Sequence, residues 1–313
     1  MTLNRRNFLA STAVAAAAAR LPPVASAAVT TPAPLADSVR YCLNMSTIRE
    51  QTDDIKEQIR IASEAGYTCI EPWMNHLEKY TKAGGSLSDL RKRIDDAGLT
   101  VESAIGFAKW IVDDESERTQ GLEQAKRDMN VLAQIGGTRI AAPPVGAHRG
   151  GPKLDTFVIA DRYRALLEVG DETGVVPQLE VWGFSTNLSR LGESVMACVE
   201  ASHPKACLLP DVYHIFKGGS DFGGLALLHD DAIQVFHMND YPAAPDRAAM
   251  NDSHRVYPGE GVAPLSNILN MVCGNGRKIV LSLELFNKEY WKQDALEVAK
   301  TGLAKMKAAV ASA

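Results

Sequence analysis

The chain has 313 residues, of which 46% are hydrophobic and 23% charged, and its formal net charge is −5. This composition excludes collagen, coiled coil and a disordered chain, and is long enough for one large α/β barrel or two smaller domains. The acidic balance provides no global basic field, so nucleic acid is not an expected partner.

The first segment reads Asn4-Arg5-Arg6-Asn7-Phe8-Leu9, then an Ala/Val-rich run, then Ala25-Ser26-Ala27. Paired arginines, a short apolar core and small residues before a cut site make a twin-arginine export signal. It implies contact with the export machinery and a periplasmic or otherwise exported protein. A transmembrane anchor is the competing reading. The apolar run, however, is Ala-rich, broken by Arg20 and Pro22-Pro23, and too short for a core of about 30 Å. No stable membrane anchor is therefore expected. Cleavage after Ala27 would remove Arg5, Arg6 and Arg20 and no acid, taking the charge from −5 to −8.

A Pro/Ala/Thr linker over 28–37 leads into one domain over 38–313, where short β-branched or apolar runs alternate with segments of helical period. The expected strands are Val39–Leu43, Tyr67–Glu71, Thr100–Ala104, Thr138–Ala141, Val175–Val181, Ala206–Asp211, Ile233–His237 and Lys278–Glu284. Helices are expected near 52–65, 86–97, 117–135, 155–173, 188–201, 263–273 and 291–311, with the weakest pattern near 221–229. Thr52 suits the cap of the first, with Asp53 and Asp54 in its first turn. Leu122, Ala125, Met129 and Leu132 form a core-facing stripe that Gly136-Gly137 stops. Eight strands alternating with helices predict an α/β fold, a single (β/α)8 TIM barrel. A doubly wound sheet would carry Gly-x-Gly-x-x-Gly after its first strand, and none is found. The five cysteines are scattered without C-x-x-C spacing, so neither a zinc knuckle, a redox motif nor a disulfide is expected.

Barrel enzymes carry their reacting groups at the carboxyl ends of the strands. Four strand ends finish in a metal-capable residue: Leu179-Glu180, Pro210-Asp211, Phe236-His237 and Leu283-Glu284. Any one of them alone reads more simply as a helix cap or a solvated loop residue. Together, on consecutive strands, three inward carboxylates would resist burial unless a cation neutralised them. Oxygen ligands with one imidazole favour Mn²⁺, Mg²⁺ or Co²⁺ and admit Zn²⁺.

Leu179-Glu180-Val181-Trp182-Gly183, Asp211-Val212-Tyr213-His214, Val235-Phe236-His237-Met238-Asn239-Asp240, Arg255-Val256-Tyr257-Pro258-Gly259-Glu260-Gly261 and Leu283-Glu284 resemble the xylose-isomerase-like TIM-barrel sugar isomerases and epimerases. The resemblance spans roughly residues 38–310. It implies that Glu180, Asp211, His237 and Glu284 ligate a divalent metal. It also implies that Glu180 and Glu284 exchange protons with opposite sides of a sugar or polyol, and that His214 and Arg255 touch that substrate. The chemistry is coherent: proton removal beside a carbonyl needs a base, and a cation held by neighbouring oxygens stabilises the enediolate.

Glu71, ending the second strand, is a further candidate for substrate contact, with a structural role as the plainer alternative. His148 reads as a loop residue within reach of the pocket or a surface histidine. Trp73, Phe107, Trp110 and Trp182 read as a pocket wall or as core. A dehydratase of ring polyols would use the same metal and the same proton removal. An apurinic-site endonuclease would need extra early-strand histidines that are missing. A non-catalytic sugar-binding barrel would keep the metal without turnover. The export signal favours an unphosphorylated substrate, and a homo-oligomer is left open.

Overall fold

The computed structural model describes residues 35–274 and 277–313. The expected export signal lies outside them, as does the expected linker up to residue 34. The end of that linker is not extended: Leu35–Ser38 forms a 3-10 turn against which the last helices pack. Among the described residues no helix is long and apolar enough to cross a membrane.

Eight parallel strands follow in chain order. They are β1 (Val39–Asn44), β2 (Cys69–Glu71), β3 (Thr100–Val101), β4 (Arg139–Ala142), β5 (Val176–Glu180), β6 (Leu208–Leu209), β7 (Val235–Met238) and β8 (Ile279–Leu283). Ladders run β3-β2-β1-β8-β7 and β4-β5-β6. Two seams join them. Bridges Leu208↔Ile233 and Asp211↔His237 link β6 to β7. The Ala104 N–H donates to Arg139 O at 3.1 Å, and Ala141 N–H to Ala104 O at 2.8 Å, linking the end of β3 to β4. The sheet thus closes into the expected barrel with no free edge.

The helices are α1 (Ile55–Ala65), α2 (Met74–Lys82), α3 (Leu87–Asp96), α4 (Glu115–Gln134), α5 (Thr156–Thr173), α6 (Leu191–Ala201), α7 (Val212–Lys217), α8 (Leu265–Cys273) and α9 (Ala295–Ala311). Side-chain caps set many of their starts. Asp54, not Thr52, caps α1 by accepting from Lys56 N at 2.9 Å, while Thr52 Oγ1 accepts from Asp54 N. The later cap wins because the carboxylate reaches an N–H inside the first turn. Two helices were not foreseen. In α2 only Met74, His76 and Leu77 are buried, so the apolar stripe is faint, and α7 is a six-residue turn starting directly at Asp211. The weak pattern near 221–229 is a 3-10 helix, Phe222–Leu227, that contains Gly223-Gly224. All five cysteines are free thiols.

One charge on the outer wall sits uneasily. Asp128 of α4 lies beside Trp110, Ala125, Ile140 and Leu166. Burial pushes its carboxyl up to about 6; Glu78 adds to this, while Gln124 and Arg127 oppose it. The folded value lies above the unfolded one. Protonated Asp128 is therefore fully tolerated below about pH 4, and that stability is lost as pH rises towards 6. Asp128→Asn is expected to match the wild type at pH 4 and to stabilise the fold by about 1–2 kcal/mol at pH 7–8, discounted for partial solvation. Thermal melts at both pH values check this; equal melting shifts at the two would contradict it.

Candidate metal and active site at the barrel mouth

Strand register assembles the site. Residues paired in a parallel ladder point to the same side. Asp211↔His237, His237↔Ser282 and Ser282↔Cys42 lie in one line across β6, β7, β8 and β1. Glu284 stands two residues above Ser282, and Asn44↔Glu71 two above Cys42. Glu180 ends β5 opposite Leu209. Asn44, Glu71, Asp211 and His237 are fully buried, and Glu180 and Glu284 nearly so.

His237 is the centre of this group. One ligand atom each from Glu180, His237 and Glu284 lie within 4.8 Å of one another. Nδ1 is 3.1 Å from Glu284 Oε2, 3.8 Å from Asp211 Oδ2 and 3.9 Å from Glu180 Oε1. It has no hydrogen-bond partner, and neither does Glu180 Oε2. On its other side, His237 Nε2 lies 3.1 Å from Glu71 Oε2. That oxygen also accepts from Ser282 Oγ at 2.6 Å and Asn44 Nδ2 at 2.8 Å. Glu71 therefore fixes the ring proton on Nε2 and leaves Nδ1 facing the three carboxylates. It is absent from the cavity lining: of the two roles read for Glu71, substrate contact or structural partner, the structure shows the second, with His237 rather than a loop amide as the group it holds.

Asp211 stands close to the trio but is more engaged. Its Oδ1 caps α7 by accepting from His214 N at 2.8 Å, and its Oδ2 accepts from Asn239 Nδ2 at 3.0 Å and Arg255 Nη1 at 2.7 Å. The same Nη1 donates to Glu284 Oε2 at 2.7 Å. Arg255 Nη2 donates to Asp252 Oδ1 at 2.7 Å and to His214 Nε2 at 2.9 Å. On the other side of the ring, the Gly183 N–H points at His214 Nδ1 at 3.3 Å, so backbone and guanidinium donors face both ring nitrogens. Burial and Arg255 push His214 down to about 4 against the pull of Asp211 and Asp252, so its ring is neutral. Gly183 seats it: a Cβ there would lie 2.3 Å from His214 O and 2.6 Å from Gly218 N, so only glycine lets the loop after β5 pack on α7.

The electrostatics are short of positive charge. Glu71, Glu180, Asp211 and Glu284 converge on one guanidinium and one imidazole. Burial raises the Glu180 carboxyl to about 8; Glu284 and Asp211 add to the rise, and His237 only partly opposes it. Burial would raise Glu284 too, but His237 and Arg255 outweigh it and hold it low. The unpartnered Nδ1 and Oε2 atoms and the surplus of carboxylates fit a divalent cation ligated by oxygen and one nitrogen.

Above this floor opens a cavity of about 360 Å³. His214, Arg255, Glu180 and Glu284 line it, with Trp73, Phe107, Trp182, Phe184, Phe286 and Trp291 as walls. Trp110 is not among them. It is core, with Nε1 donating to Pro143 O at 2.9 Å. His148 lies outside the lining and meets Trp182 and Phe184 edge-on. The sequence reading assigned no site role to Asn44 or Asn239, and strand alternation placed Ser282 only as an inward-facing residue beneath Glu284. Asn44 and Asn239 each stand where a strand ends, which is the signal that had singled out the four metal-capable residues.

A family profile described as xylose isomerase-like TIM barrel matches residues 59–309. The chain is similar to an inosose isomerase of Bacillus velezensis, with 25% identity over 84% of this chain and 94% of that protein. It is also similar to a 3-dehydroshikimate dehydratase of Pseudomonas aeruginosa, with 24% identity over 74% of this chain and 36% of that protein. Among solved structures, the IolI protein with a bound zinc atom superposes with a TM-score of 0.80 at 22% identity, over 87% of this chain and 98% of its own. Sugar epimerases share the scaffold as well.

Proposed function

Because the chain belongs to the xylose isomerase-like TIM barrel family, we propose that it is a divalent-metal-dependent isomerase or epimerase of a small sugar or polyol. One observation carries the reading. A buried imidazole nitrogen without a partner faces three carboxylates at the floor of an aromatic-walled cavity. Glu180, Asp211, His237 and Glu284 would hold the ion, which would supply positive charge to the hydroxyl and carbonyl oxygens of the substrate. Glu180 and Glu284 reach the cavity from strands on different sides of the barrel. One takes the proton from the carbon beside the carbonyl, and the other returns a proton. Arg255 and neutral His214 orient substrate oxygens, and the tryptophan and phenylalanine walls keep bulk water from the exposed carbanion.

A dehydratase is the second reading, supported by the Pseudomonas aeruginosa relative. It would begin with the same proton removal and then expel a hydroxyl group. Incubating metal-loaded protein with a panel of sugars and polyols in D₂O separates the two. Isomers carrying one deuterium support the isomerase or epimerase, and products lighter by one water support the dehydratase. Absence of both deuterium incorporation and loss of water with every member, under all four candidate metals, would contradict both.

A further inference from the structure

The upper wall of the same cavity holds two cations that the proposed proton transfer does not use. Arg49 follows the 3-10 turn Met45–Ile48 that leaves β1. Its guanidinium carbon lies 5.0 Å from the ring centroid of Trp73, 5.1 Å from that of Phe286 and 5.0 Å from that of Trp291. Glu50 is over half exposed and 3.4 Å from Arg49 Nε, yet Nε is buried and has no hydrogen-bond partner. Lys288 lines the same cavity and forms no ion pair among the described residues. Arg255 also has a buried Nε without a partner, but both of its Nη groups are spent on Asp211, Glu284, Asp252 and His214, whereas Arg49 has only the Glu50 contact.

Three rings pack around the Arg49 guanidinium and hold it in place; its Nε is buried without an acceptor, while the side chain keeps 29% of its surface open. A planar fork held this way, with its open edge accessible, is matched to carboxylate or phosphate oxygens. The location suits a substrate end. Arg49 and Arg255 both lie against Phe286, the latter at 5.0 Å, so their guanidinium carbons are no more than about 10 Å apart. Arg255 in turn touches Glu284. One sugar-sized molecule can therefore meet Arg49 with one end and the carboxylate floor with the other.

We propose that Arg49 and Lys288 form an anion subsite, and that the substrate is an acidic sugar or polyol bearing a carboxylate or phosphate at the end remote from the reacting carbonyl. The reacting end rests on the isomerase or epimerase reading; the anion subsite does not. D-gluconate, D-glucitol 6-phosphate and D-glucitol place a carboxylate, a phosphate and a neutral group on the same six-carbon chain. Their binding to the metal-loaded full chain can be followed by calorimetry, and by fluorescence of Trp73 and Trp291 beside Arg49. At least one of the two acids is expected to bind about tenfold or more tightly than D-glucitol, and the stronger acid identifies the anion.

Arg49→Gln should remove that preference. Arg49→Lys, which keeps the charge without the fork, should retain part of it, and Lys288→Gln should reduce it. Lys92→Gln, which removes an exposed charge paired with Asp96 on α3, should leave it intact. Should Arg49→Gln fail to fold, the exposed Lys288 carries the test. Equal binding of acids and D-glucitol, no binding of either acid, or a preference that survives both Arg49→Gln and Lys288→Gln would overturn the subsite, the last because the acid would then be held at the metal centre. Arg49-dependent binding of acids with no deuterium exchange into any sugar acid would instead support the subsite and remove the proposed reaction.

Discussion

Glu180→Gln and Glu284→Gln are each expected to lower turnover by about 10²–10⁴-fold and to leave KM within a few-fold, the signature of a lost proton-transfer group. Glutamine keeps the shape of either side chain and most of its packing but cannot take a proton. The two should differ in isotope exchange. The variant missing the abstracting carboxylate loses exchange of solvent deuterium into substrate. The variant missing the returning carboxylate can still exchange the proton on the first face while failing to deliver product. Full exchange and turnover in both variants would show that these carboxylates are not the acid–base pair. A fall in the melting temperature does not confuse the result, because kcat is measured on folded, metal-loaded protein.

The second large effect is expected away from the cavity. Glu71→Gln should weaken divalent-metal affinity by about 10–100-fold, as loss of an outer carboxylate partner of a ligating histidine does. The variant keeps a group of the same size beneath His237 but loses the carboxylate that accepts from His237 Nε2, Ser282 Oγ and Asn44 Nδ2. With that acceptor weakened, the imidazole loses the contact that keeps its proton on Nε2 and its lone pair on Nδ1. Competition against a chromophoric chelator reads the affinity directly. A Co²⁺-loaded sample reports through its absorption whether ligand geometry has moved. Unchanged affinity and an unchanged spectrum would leave Glu71 as a packing residue only.

Much of this architecture was legible before any coordinates. The alternation of apolar runs with helical stripes identified all eight strands, and the acid or histidine ending four of them marked the place where they meet. That works because strand periodicity and strand-end chemistry are local properties. What was not legible depends on closure of the barrel. Glu71 and His237 are 166 residues apart in sequence, and no local pattern says that one carboxylate will lie under one imidazole. Arg49 sits one residue past a buried turn and reads as an ordinary surface charge. Only the folded chain brings Trp73, Phe286 and Trp291 around it. The helix errors are local in origin. Thr52 and Asp54 both offer a capping oxygen, and the choice depends on which reaches an N–H in the first turn. For α2, burial is confined to its first turn, so the period that reveals other helices is nearly silent.

Divalent-metal content and affinity, measured by elemental analysis and calorimetry on the purified chain and its ligand variants, address the central claim most directly. One ion per chain is expected, with binding abolished in His237→Ala and weakened in Glu180→Gln, Glu284→Gln and Asp211→Asn, the glutamate variants still loading at saturating metal. A folded wild-type protein that takes up no Mn²⁺, Mg²⁺, Co²⁺ or Zn²⁺, or one whose affinity is unaltered by removing His237 and Glu284, would contradict it.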